Sequence, residues 1–160
     1  MPIVYIIMGP AGCGKSSIAA ALSERAGWAM VEADDHHPTE NVEKQRNQIP
    51  LTDADRVVWL DQLIGAINAV PHETIALACS ALTPYVQSRL RDEIHGTCQW
   101  LLIEVPPDEL RRRMTARKDH FMPVELLDNQ LASLTPPIGV RRINGAQTMT
   151  KICDEILSGL

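Results

Sequence analysis

The apolar stretch IVYIIM at residues 3–8 runs directly into GPAGCGKS at 9–16. Ile18, Ala19, Leu22 and Ala26 then recur at helical spacing. A buried strand, a glycine-rich loop and a helix in immediate succession leave few folds open to the chain. The loop fits G-x-x-x-x-G-K-[ST], and its place between strand and helix makes that pattern meaningful. Gly9 and Gly14 let the backbone turn so that several N–H groups converge on phosphate oxygens. The helix beginning near Lys15 adds the positive end of its dipole. The expected nucleotide-binding stretch is therefore Gly9, Pro10, Ala11, Gly12, Cys13, Gly14, Lys15, Ser16 and Ser17. Lys15 is expected at the β- and γ-phosphates, and Ser16 on Mg²⁺. G-x-G-x-x-G does not occur, which argues against a dinucleotide site.

The rest of the chain continues the alternation. Apolar runs at 28–33, 74–82 and 98–105 read as strands, with a weaker one near 139–143. Helical patterns fall at 39–48, 53–70, 84–95, 107–118, 123–134 and 146–158. In the second of these, Asp53 is a candidate cap, and Val57, Leu60, Leu63, Ile64 and Ile67 share a face. Strands separated by helices imply an α/β chain with a parallel sheet covered on both faces. At 160 residues the chain is long enough for a single domain, 1–160, with a substantial core.

The net charge of −5 argues against nucleic acid or an anionic membrane as partner, since both require basic patches. No apolar run approaches the roughly 20 residues of a membrane span. The N-terminus lacks the basic region of a signal peptide. Cys13, Cys79, Cys98 and Cys153 are scattered, with no C-x-x-C pair, which fits reduced thiols in a cytoplasm.

Acidic residues crowd VEADDHHP at 31–38, where the second strand ends. If the strand continues, Glu32 and Asp34 lie two apart and face the same side. Both then project from the carboxyl edge of the sheet, where open α/β proteins bind ligands. The arrangement resembles that of small-molecule P-loop kinases, in which one such carboxylate sits near Mg²⁺ and the other meets the substrate hydroxyl. The alternative is a solvated turn. Asp35 points the other way. His36 and His37 lack the spacing of structural zinc.

Together, MGPAGCGKS, EADDHHPTENVEKQRNQIPLTDADRVVWL, CSAL and RRRMTARKDHFM resemble the P-loop gluconokinases, up to about Pro137. The middle signature is specific: Asp34, His37-Pro38, Asn41, Lys44, Pro50-Leu51, Asp53, Asp55-Arg56 and Trp59-Leu60 stand at that family's spacing. The resemblance implies a three-layer P-loop kinase fold with a five-stranded parallel sheet flanked by helices. It implies a substrate-binding insertion at about 36–60 and a lid at about 113–130. It implies ATP and Mg²⁺, with Ser16 and Glu32 toward the metal, and Lys15, Asp34 and Arg117 as catalytic residues. Arg113 and Arg117 would join the nucleotide site. Asp34, His37, Lys44, Arg56 and His120 would form the sugar-acid pocket, although His37 could equally be structural. Trp59 and Leu60 are expected in the core. A homodimer is a further implication.

Several positions depart from the family pattern. After CSAL the family continues with Lys and then Tyr-Arg-Asp, whereas this chain reads Thr83-Pro84-Tyr85-Val86-Gln87-Ser88. Asp119 replaces a Gly, Glu32 an Asp and Ala33 a Gly, and Thr135 stands where an acid closes Q-F-x-x-L-E. The expected activity is ATP-dependent phosphorylation of a small sugar acid, foremost gluconate to 6-phosphogluconate. The alternatives are another polyol or sugar acid as acceptor, or a nucleotide-binding protein without catalysis.

Overall fold

The computed structural model describes residues 1–116 and 124–160. Five strands form one parallel sheet: β1 (Ile3–Met8), β2 (Ala29–Glu32), β3 (Thr74–Ala78), β4 (Thr97–Glu104) and β5 (Arg141–Asn144). Their order is β2-β3-β1-β4-β5. The helices are α1 (Lys15–Ala26), α2 (Thr39–Arg46), α3 (Asp53–Asn68), α4 (Pro84–Glu93), α5 (Pro107–Ala116), α6 (Val124–Ser133) and α7 (Met149–Ser158). A single 3₁₀ turn, Ala33–His36, follows β2.

The central strand shows why IVYIIM carries no polar residue. Val4, Ile6 and Met8 enter one core with α3 and α4. Tyr5 and Ile7 enter the other, with α1, α5, α6 and α7. A strand buried on both faces has no solvent side to mark with polar residues. Tyr5 stacks on Trp28 at 4.6 Å between ring centroids.

Helix α3 lays Trp59, Leu60, Leu63, Ile64 and Ile67 on the first core. Each such side chain contributes roughly 1.5–3 kcal/mol on burial. The expected cap and one expected core residue are corrected here. Thr52, not Asp53, caps the helix: its hydroxyl accepts from Asp55 N, and the Asp55 carboxylate accepts from Thr52 N at 2.8 Å. Val57 is exposed, lying just N-terminal to the run from Trp59 to Ile67 that α3 buries.

Strand β2 also ends earlier than the sequence suggests. Asp34 lies in the 3₁₀ turn rather than on a continued strand, so strand parity does not relate it to Glu32. Trp59 holds that turn, donating its indole N–H to Ala33 O at 2.8 Å.

Candidate active site

The loops after β1, β2 and β3 meet where the sheet order reverses around β1. There, β3 lies on one side and β4 on the other. Gly9, Gly12 and Gly14 adopt φ of 145°, 85° and 100°. At Gly9 a Cβ would come within 2.9 Å of Cys13 Sγ and 3.1 Å of Ile103 O, so this position excludes every other residue. Cys13 is buried beneath the loop, and burial pushes its thiol up. Lys15 Nζ donates to Pro10 O at 3.0 Å, folding its charge over the loop.

The Ser16 hydroxyl donates to the Glu32 carboxylate. This contact joins the start of α1 to the end of β2. It sets two oxygen ligands side by side at the mouth of the phosphate loop. Mg²⁺ favours such hard oxygens and keeps its remaining positions for water and phosphate. The donor set therefore fits Mg²⁺. Among the described residues there is no cluster of three His, Cys, Asp or Glu side chains that would form an all-protein cage.

Asp34 reaches the same edge by another route than the strand. Buried Cys79, just after β3, has its thiol pushed up to about 12 by burial, and Lys15, Glu32 and Asp34 all act on it electrostatically. Asp34 itself is well exposed, its side chain 85% accessible. Asp35 is exposed as well.

The expected acceptor residues divide. His37 is enclosed, with 5% of its side chain accessible, and stacks on Trp59 at 4.7 Å with planes 10° apart. Burial lowers its pKa, against a smaller opposing effect of Asp34. Lys44 is paired with the Asp55 carboxylate at 2.7 Å, and that contact leads in holding the Asp55 pKa to about 2. Arg56 pairs with Asp53 at 3.3 Å on the exposed start of α3. Arg117 and His120 lie outside the described residues.

Arg113 braces the loop through backbone. It donates to Gly12 O and Gly145 O, both at 3.1 Å, and to Glu109 at 3.1 Å. Beside it opens a cavity of about 410 Å³, bordered by Gly12, Ser17, Arg113, Gly145, Gln147 and Met149. Sequence reasoning missed Gln147 and Met149. Topology alone could have flagged them, because the β5–α7 loop must emerge at the same sheet edge.

Two glutamines tie the surroundings together. Gln130 on α6 accepts the Ala11 N–H at 2.8 Å. Gln87 is 3% exposed and donates to Ala81 O at 2.9 Å and Thr135 O at 2.7 Å. Ala81 has a positive φ of 47°, so Gln87 stabilises a strained turn.

The comparisons with known proteins agree with this geometry. A family model described as an AAA domain matches residues 4–137. A gluconokinase of Gluconobacter oxydans is 37% identical, over 98% of this chain and 90% of that protein. The thermoresistant gluconokinase of Escherichia coli is 32% identical, over 84% of this chain and 77% of that protein. Among solved structures, a gluconokinase from Sinorhizobium meliloti 1021 superimposes with a TM-score of 0.85 at 34% identity, covering 99% of this chain and 91% of that one. An unliganded sugar kinase from Janibacter sp. HTCC2649 gives 0.86 at 30% identity, covering 99% and 94%.

Proposed function

Because the chain belongs to the gluconokinase family of P-loop kinases, we propose that it transfers the γ-phosphoryl group of ATP to the primary hydroxyl of gluconate, yielding 6-phosphogluconate. The observation that carries this reading is the meeting, at one sheet edge, of an intact phosphate loop and the acidic turn after β2. The Ser16–Glu32 contact marks that junction.

The loop amides and Lys15 hold the triphosphate, and the cavity beside Arg113 takes the nucleoside. Arg113 keeps the loop in shape through Gly12 O. Ser16 and Glu32 would hold Mg²⁺, Glu32 through water. Bound there, the ion neutralises phosphate charge. Asp34 accepts the proton of the acceptor hydroxyl or orients it for in-line attack. His37, Lys44 and Arg56 belong to the acceptor segment at about 36–60. Arg117 and His120 belong to the lid at about 113–130, where Arg117 stabilises the transferring phosphoryl group. Catalysis is positioning and charge stabilisation throughout.

Residues 1–160 form a single P-loop kinase domain that acts in the cytoplasm as a homodimer. No helix among the described residues is long and apolar enough to cross a membrane, and the four cysteines are free thiols.

One observation favours a second acceptor. Gln87 stands where the family carries an Arg, and its amide is spent on two backbone carbonyls. A pocket with less positive charge suits another polyol or sugar acid. Coupled ADP release over a panel of sugar acids and polyols tests both readings. The highest kcat/KM should fall on gluconate. Preference for another acceptor would replace the substrate, and no release above the ATP-only background would remove the enzyme.

A further inference from the structure

We infer that Asn41 is a positioning residue that sets the tautomer of His37 and, through it, the orientation of the Asp34 carboxylate. The inference rests on Asp34 serving the acceptor hydroxyl.

Asn41 is 2% exposed, in the first turn of α2. Its Nδ2 donates to the backbone carbonyl of Asp55 at 2.9 Å. A carbonyl oxygen only accepts, so this contact fixes which end of the amide is nitrogen. The same Nδ2 lies 3.2 Å from His37 Nδ1. With a donor already facing it, Nδ1 must be the acceptor. A neutral His37 then carries its proton on Nε2.

The ring cannot easily escape this assignment. Trp59 stacks flat against it and is itself pinned to Ala33 O. Ala33 and Asp34 share one 3₁₀ turn, so the same indole anchors both the imidazole and the backbone that carries the carboxylate. Nε2 faces Asp34 Oδ1 at 4.0 Å. That is beyond hydrogen-bond length, and Asp34 is exposed enough to swing inward when an acceptor fills the site. Contacts of this kind tighten in the complex. The result is a series from Asp55 O through Asn41 and His37 to Asp34, in which each donor orients the next acceptor. It follows the logic of a base oriented by a third group. With Asp34 swung inward, the neutral Nε2–H would hold one carboxylate oxygen and leave the other for the hydroxyl.

The tautomer is read directly by long-range ¹H–¹⁵N NMR of the full chain labelled in its five histidines, with His37 assigned by its absence in His37→Gln. The Nε2–H form is expected, and the Nδ1–H form would overturn the inference whether or not Asp34 is catalytic. Kinetics separates positioning from mere structure. His37→Gln places its N–H where Nε2 sits and should lose distinctly less kcat than His37→Asn. His37→Asn places it near Nδ1 and should lose about tenfold or more in kcat at unchanged KM for ATP. Equal kcat in the two variants would overturn the role. Asn41→Asp offers His37 an acceptor instead of a donor. It should move the ring to Nδ1–H and lower kcat similarly. If that variant fails to fold, the wild-type spectrum and the His37 pair still decide.

Discussion

Gln130 Oε1 accepts the backbone N–H of Ala11 at 2.8 Å, fastening α6 to the phosphate loop. Gln130 closes the segment proposed as the lid, about 113–130, so this bond ties that segment to the loop. Gln130→Ala should raise KM for ATP about 3- to 10-fold, the worth of one hydrogen bond near 1 kcal/mol. Gln130→Glu keeps the acceptor but sets a negative charge beside the triphosphate. It should match the wild type in thermal stability and bind ATP more weakly than Gln130→Ala. Calorimetric ATP titration of the two variants separates the roles, and equal affinities would show that charge at this position is immaterial.

Lys15→Ala should abolish turnover, with a loss of about 10³-fold or more in kcat. Its half-exposed hydrogen bond to Pro10 O contributes little to the fold, so the melting temperature should move by no more than a degree or two. Glu32→Gln should raise the Mg²⁺ concentration needed for half-maximal rate several-fold, because the carboxylate that would hold the ion through water loses its charge. An unchanged Mg²⁺ requirement would detach Glu32 from the metal.

Asp34→Asn should cut kcat about 10²-fold or more while leaving ATP affinity within twofold. The side chain is exposed, so stability should not follow. Rapid-quench measurement of the phosphoryl-transfer step checks this, and near-normal kcat would end the proposed role.

The buried His37 gives stability a pH dependence of known sign. Its folded pKa lies below the ordinary 6.5, chiefly from burial. The unfolded chain therefore binds the proton more readily, and stability falls as pH drops from 6.5 toward the folded value. Below that value the loss from this residue is complete. His37→Gln should flatten this part of the curve. Urea unfolding of both proteins across that window measures the difference. The carboxylates act lower: Asp55, held at about 2, contributes stability above its ordinary 3.8 and loses it as pH falls toward 2.

Gln87→Ala should destabilise the protein by about 1–3 kcal/mol, since it strands the carbonyls of Ala81 and Thr135. The turn at Ala81 should loosen with it. Hydrogen exchange at Thr135, whose N–H donates to Leu82 O at 2.9 Å, reports that loosening directly.

The chain sequence alone determined the phosphate loop and the alternating elements. Both depend on short-range rules: glycines at fixed offsets, an unbroken apolar run for a strand buried twice, and a 3.6-residue period for α3. Lys15, Ser16 and the place of Glu32 at the end of β2 were legible for that reason. What followed β2 was not. Parity assumed a continuing strand, while Trp59, 26 residues away, draws the chain into a 3₁₀ turn by capturing Ala33 O. Asn41 looked like one more signature residue until its amide was seen between Asp55 O and His37. Likewise Gln130 meets Ala11 across 119 residues of chain, and Arg113 meets Gly12 across 101. No local period encodes such pairs. Packing around the sheet decides them, because buried donors and acceptors must find partners wherever the fold brings them.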